Sequence, residues 1–256
     1  MIYYIHSDFT SFIRNPKIKK LNEEYAGRSF INKGLNLMLN DIKKLFGKSF
    51  ILPAYNYDFG KTRIYNVAKD QSQTGLFTEF CRKKKNFFRS YTPMFSSISM
   101  NKNLVKKNIK SEINPFDRSS EWENLYNKKG KIVNYGVSFT PTYIHYIENK
   151  SRMINYRKEK RFDGKIVLPN KKRQKISLIF SVRPKNLNIS YDTKKVRKDL
   201  KKEGILKSYN INNNFYYEIT DAKDFCDFAI NKIRIDEYYF LDKKTVHNLK
   251  QKLKKN

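Results

Sequence analysis

The stretch from Met1 to Pro53 constrains the fold more than any other part of the chain. Met1 to Ile5 is an apolar, β-prone run that ends at His6-Ser7. Phe30, Ile31, Leu35, Met38, Leu39, Ile42, Leu45 and Phe46 then recur at the spacing of a helix with one apolar face, and Gly47 supplies a stop. Ser49 to Leu52 is a short apolar run before Pro53, the pattern of a buried strand. A helix that carries the chain back between two strands makes them parallel. The expected class is therefore α/β.

Further elements follow by the same reasoning. Tyr55 to Gln73 reads as a polar loop, and Leu76 to Lys85 as a helix with Thr74 as its cap. Ser96 to Met100 is extended, and Asn114-Pro115-Phe116-Asp117 is a turn. Ser119 or Ser120 caps a helix around Trp122 to Tyr126. Lys131 to Tyr135 is a strand closed by Gly136, and Thr142 to Glu148 is helical. Ile176 to Val182 and Phe215 to Ile219 are strand-like, Lys194 to Glu203 is a basic helix, and Thr220 caps a helix through Ile230. Lys and Arg dominate from Lys150 to Lys175. No repeat or linker divides the chain, so residues 1–256 are expected to form a single domain with a basic helical tail over about 243–256.

Lys and Arg number 54 against 24 Asp and Glu, a formal charge of +30. Such a surface attracts phosphorylated cofactors, nucleic acid and anionic membranes. No apolar run is long enough to span a bilayer. Met1 leads straight into a strand without a cleavable leader, and the only two cysteines, Cys81 and Cys226, form no metal motif. Both thiols are expected to be structural, and the chain to be cytoplasmic.

Chemistry concentrates in Thr142-Tyr143-Ile144-His145-Tyr146-Ile147-Glu148. Helical spacing puts His145 and Glu148 on one face. Imidazole is the side chain best suited to take a proton near neutral pH, and a neighbouring carboxylate can orient it. The pair reads as a general base with its support. Their two ligands have no marked third partner, so no metal site is expected. His247 reads as a surface residue.

Several landmarks together resemble one family. His6-Ser7 closes the opening strand. Thr74-Gly75 precedes Phe77, Glu79 and Phe80. Arg89-Ser90, Pro93 and Ser96 follow, then Asn114-Pro115-Phe116 with Ser119. Gly136 precedes Thr142, His145 and Glu148, and Thr220-Asp221-Ala222 precedes Phe225. In order and spacing over roughly residues 1 to 230, this is similar to the aminoglycoside 3-N-acetyltransferase family, which is distinct from GNAT acetyltransferases. The chain departs from that pattern at Asp8, where the family has a second serine, at Thr92, where it commonly has histidine, and at Asp117, where it has glycine. The family usually has a helix before this first strand, and the chain is expected to lack it.

The resemblance implies a three-layer α/β sandwich around a mixed, partly parallel sheet. It also implies acetyl-CoA as acyl donor and an amine as acceptor. His145 is then the base that deprotonates the amine, and Glu148 its orienting partner. Ser7, Ser90 and backbone amides near His6 are candidates to stabilise the thioester oxygen. His6 is expected in the pocket wall. Arg89 and Ser96 are the motif-based choices for the phosphates of CoA, with Lys33 a weaker one. Because aminoglycosides are polycations and the chain carries +30, the charge favours an amino sugar linked to a nucleotide or polysaccharide, or presented at an anionic carrier or membrane surface. Two alternatives stand beside this: a nucleic-acid-binding protein without catalysis, which no recognised motif supports, and a degenerate family member that binds CoA without turnover.

Overall fold

The computed structural model describes residues 1–15, 18, 25–184, 187–212 and 215–253. Strand β1 (Tyr3–Ser7) lies at the centre of a seven-stranded sheet, parallel to β2 (Phe50–Pro53) on one side and to β7 (Lys131–Tyr135) on the other. Antiparallel strands flank this parallel core: β5 (Ser97–Ser99) and β4 (Phe88–Arg89) beyond β2, β11 (Phe215–Asp221) and β10 (Leu206–Asn212) beyond β7. The mixed, partly parallel α/β layering read from the sequence is what forms.

Alternation along the strands builds two cores. Ile5, Val133, Phe50 and Leu52 face α1 (Phe9–Ile13), α2 (Gly27–Phe46) and α4 (Leu76–Arg82). Leu35, Met38, Leu39, Ile42 and Phe46 supply the buried stripe of α2. Tyr4, Ile51 and Ile132 face the opposite core, shared with α5 (Glu121–Asn127), α6 (Thr142–Ser151), α7 (Thr193–Lys202) and α8 (Ala222–Ile235). The terminal helix α9 (Lys243–Leu253) packs through Leu249 near Tyr156 and Tyr238.

A second sheet, unforeseen in the sequence, joins this latter core. Its order is β3 (Ile64–Asn66), β8 (Lys158–Val167), β9 (Arg173–Val182), β6 (Glu112–Ile113). Phe162, Ile166, Leu178 and Phe180 point inward, while the intervening charged residues face out.

Two expected caps prove otherwise. Gly75 precedes α4, and the Thr74 hydroxyl instead donates to the Pro53 carbonyl at 2.5 Å. Asp221, not Thr220, caps α8 through the Lys223 and Asp224 amides, and Thr220 lies within β11. The stretch expected as a loop from Tyr55 to Gln73 contains β3 and a short helix α3 (Phe59–Thr62). Of the two serines before α5, Ser120 is the cap, accepting from the Glu123 amide at 3.1 Å. Gly136 ends β7 with φ +69°, and a Cβ there would stand 2.5 Å from the Phe215 ring, so the turn that leads toward α6 requires glycine.

Candidate active site

Helix α6 buries Tyr143, Ile144, Tyr146 and Ile147 against the core. Ile144 and Ile147 each contribute about 1.5–3 kcal/mol by leaving water, which anchors the helix and fixes its opposite edge. His145, Glu148, Asn149 and Arg152 form one stripe along that edge. All four line a cavity of about 380 Å³ with Asn114, Phe116, Asp117, Arg157 and Glu159. The Asn149 amide donates to the Phe116 carbonyl at 2.9 Å, tying the Asn114–Asp117 turn to the helix. The Phe116 ring stands 5.5 Å from the His145 ring.

The His145 side chain keeps 24% of its surface exposed, while the Glu148 side chain keeps 1%. Glu148 is held from several sides. Tyr156 donates to it at 2.7 Å, Tyr191 reaches both of its oxygens at 2.8 Å, and Arg157 Nε lies 2.6 Å from Oε2. The last contact is an ion pair rather than an aligned hydrogen bond, since Nε has no partner in hydrogen-bonding geometry. Burial alone would raise the Glu148 carboxyl, but the His145 hydrogen bond and the Arg157 charge outweigh it and hold the group below its ordinary 4.5.

Three groups surround His145 Nδ1: Glu148 Oε2 at 3.4 Å, Arg157 Nη2 at 3.0 Å and Tyr191 Oη at 3.2 Å. They define two tautomers. With the proton on Nδ1, it points to Glu148 and leaves the Nε2 lone pair free. With the proton on Nε2, Arg157 donates to Nδ1 and the ring cannot act as a base through Nε2. Arg157 Nη2 also reaches Tyr191 Oη, so it has a second acceptor when Nδ1 is protonated. Burial pushes the imidazole below its ordinary 6.5; Arg157 and Arg183 push the same way, against Glu148. At neutral pH the ring is uncharged, the state a base requires.

His6 and Ser7 lie elsewhere, at the carboxyl end of β1. The helices after β1 cover one face of the sheet and α6 after β7 covers the other, so the chain diverges between these two parallel strands. Such a switch point is where open α/β sheets bind ligands. His6 pairs with Asn134 and Ser7 with Tyr135 across it. His6 is 7% exposed, its Nε2 has no hydrogen-bond partner, and burial pushes its pKa down to about 4. Asn134 Nδ2 and Tyr143 Oη, on the same face, are also buried without partners. Asp8, the departure after Ser7, caps α1 through the Thr10 and Ser11 amides at 3.0 and 3.1 Å. Asp117 likewise closes its own turn, accepting from the Ser119 amide at 2.8 Å.

Arg89, Ser90 and Ser96 do not line the His145 cavity. Arg89 donates to Ser96 Oγ at 3.0 Å, to the Ala54 carbonyl at 2.9 Å, and to the Val67 and Asp70 carbonyls. Ser96 donates to Ala54 at 2.6 Å, and Ser90 Oγ accepts from the Ser97 amide at 2.9 Å. Together they clamp the loops after β2 and β3. Lys33 sits on α2, on the opposite face from His145, over the Tyr25 ring. Cys81 and Cys226 are free and buried, and burial pushes the Cys226 thiol up to about 12. His247 is exposed.

Sequence reasoning missed Tyr156, Arg157 and Tyr191. None shares a helix face with His145, and Arg157 was one cation within a long basic run. A second cavity lies over the second sheet and shares no residue with the His145 cavity.

A family model described as aminoglycoside 3-N-acetyltransferase matches residues 53–234. Among solved structures, aminoglycoside acetyltransferase AAC(3)-Xa aligns with a TM-score of 0.67 at 13% identity, covering 93% of this chain and 87% of that one. AAC-IIIb in a binary complex with CoASH gives 0.62 at 12% identity, covering 91% and 89%. AAC-VIa bound to sisomicin gives 0.64 at 13% identity, covering 91% and 90%. At such identities these structures speak for the fold. The search of curated proteins found no match.

Proposed function

Because the chain belongs to the aminoglycoside 3-N-acetyltransferase family, we propose that it moves an acetyl group from acetyl-CoA to an amine of an amino sugar, with His145 as the general base. The observation that carries this is the placement of His145: it lines a cavity, with Nδ1 beside a buried carboxylate and Nε2 bonded to no described residue.

An ammonium group has no lone pair, so the acceptor must lose a proton as it attacks. Nε2 takes that proton, and the resulting imidazolium is stabilised by Glu148, which Tyr156, Tyr191 and Arg157 hold in place. Acetyl-CoA supplies the thioester carbonyl that the amine attacks and a thiol that leaves. The reading that the acyl donor lies at the switch point is supported by His6 Nε2, Asn134 Nδ2 and Tyr143 Oη, buried polar atoms without partners there, since bare polar atoms call for a ligand or water. His6 and Ser7 would hold the donor, with Asn134 beside them. Arg89, Ser90 and Ser96 shape the loops around this region, and a phosphate reaching Arg89 would have to replace backbone carbonyls.

The net charge argued for an acceptor linked to a nucleotide or polysaccharide, and nothing in the family favours that preference. Local charge also runs the other way. Asp117, Glu148 and Glu159 line the cavity against Arg152 and Arg157, in a chain where cations outnumber acids 54 to 24. AAC-VIa is solved with sisomicin, a relative's ligand that agrees with a cationic amino sugar here. Base stacking loses its basis too, since large aromatics such as Tyr4, Tyr65, Tyr143 and Phe225 are core residues. The test is an acetyl-CoA assay comparing sisomicin with a nucleotide-linked amino sugar. Turnover of sisomicin is expected to be the faster; the reverse order restores the charge argument, and no turnover of either removes the enzyme reading.

The pH dependence follows from the His145 surroundings. Its pKa lies below 6.5 in the folded protein, so the neutral base is present above that value and activity falls as pH drops through it. Glu148 favours the charged ring, so Glu148→Gln is expected to move the midpoint further down. Ring-proton NMR of His145 measures both. A midpoint above 6.5, or an upward move in the variant, contradicts this account of the site.

A further inference from the structure

The cavity over the second sheet, about 870 Å³, is formed by β8 and β9 with Arg63 and Ile64 on one side and Lys110 and Glu112 on the other. Phe162, Ile166 and Leu178 point into the core, so alternation sends Arg161, Asp163, Lys165, Lys175 and Ser177 outward.

Charge in this trough is unbalanced. Both carboxylates are held by one guanidinium: Arg161 Nε donates to Asp163 at 2.8 Å and Nη1 to Glu112 at 2.5 Å. The Ser177 hydroxyl donates to Asp163 as well, at 2.5 Å. Arg63, Lys110, Lys165 and Lys175 remain, and none has an ion pair with a described residue. Lys165 and Lys175 stand directly opposite in the β8–β9 register, a like-charge placement that weakens a sheet unless a counter-ion lies between them. The Arg63 guanidinium stands 5.0 Å over the Phe162 ring, and its buried Nη1 hydrogen-bonds to no described residue, so it has a cation–π contact but no anion. Arginine cannot relieve this by losing its proton.

We propose that the trough binds a compact anion carrying at least two phosphate groups, at a site separate from the acetyl-transfer centre. The cavity has the size of a small-molecule site rather than of a duplex track. A short phosphate chain would lie between Lys165 and Lys175 and give Arg63 the paired oxygens a guanidinium fork accepts. The site shares no residue with the His145 cavity and does not depend on the catalytic reading.

Calorimetric titration of the full chain with sodium tripolyphosphate tests this. The native protein is expected to bind one equivalent. Lys165→Ala/Lys175→Ala, and separately Arg63→Gln, are expected to weaken Kd by about tenfold or more. Lys198→Ala/Lys207→Ala removes the same charge from exposed positions outside the trough and is expected to leave Kd unchanged. Thermal melts establish that each variant is folded. The proposal is overturned by absence of binding, by equal weakening in the Lys198/Lys207 control, or by displacement of tripolyphosphate by CoA, which would assign the trough to the acyl donor. Tighter binding of a short DNA duplex with the same dependence on Lys165 and Lys175 would make it a nucleic-acid surface and overturn it equally.

Discussion

Alanine at position 145 is expected to lower turnover by about 10²- to 10⁴-fold while leaving the fold and CoA binding intact, the range general-base catalysis contributes. The imidazole is partly exposed and sits at the cavity edge of α6, so its removal opens no void in the core; the apolar face that anchors the helix is Tyr143, Ile144, Tyr146 and Ile147. Loss of the ring removes the one imidazole among the described residues of the cavity; Arg152 and Arg157 cannot accept a proton, and Glu148 is sealed behind the ring. Steady-state release of the CoA thiol gives turnover, and a rise in melting temperature with CoA reports binding to the native state. Activity within a few-fold of native would remove His145 from proton transfer. Loss of the CoA-dependent rise would instead mean that the ring belongs to the donor site.

How far the sequence reached can be seen residue by residue. Strand β1, helix α2 and strand β2 were legible because burial leaves its period in the apolar residues, and local period is what a sequence displays. His145 and Glu148 were legible for the same reason: their relation is a helix spacing. Strand β8 was hidden, since Glu159, Arg161, Asp163 and Lys165 occupy its outward positions and only Phe162 and Ile166 mark its inner face amid a run of charge. Arg89 shows a different limit. Its place in a motif could be recognised, but its contacts with the Ala54, Val67 and Asp70 carbonyls join segments separated by 35, 22 and 19 residues, and no local rule relates those. Arg157, Tyr156 and Tyr191 reach Glu148 from outside its helix, so the network around His145 exists only once the chain has folded.

That network makes the second large expectation. Arg157→Ala is expected to destabilise the protein by about 3–5 kcal/mol, the cost of leaving a buried carboxylate without its cation. The two side chains are 5% and 1% exposed, so solvent cannot screen the loss as it does at a surface pair. The sign with pH can be worked through. In the native protein Glu148 titrates below 4.5, so its contribution to stability is present above that value and fades as pH falls through the lower folded one. Without Arg157 the burial that raises the carboxyl has less against it, the folded pKa moves up, and the deficit is largest at neutral pH and shrinks on acidification. The double variant Glu148→Gln/Arg157→Met removes both charges, keeps an acceptor for Tyr156 and Tyr191, and is expected to be more stable than Arg157→Ala alone. Urea unfolding of the native protein and both variants, at neutral and mildly acidic pH, measures each term. A deficit under about 1 kcal/mol, of the size found for exposed pairs, would show that the ion pair beneath His145 is hydrated in solution and that the imidazole is oriented by Tyr191 rather than by a fixed Glu148.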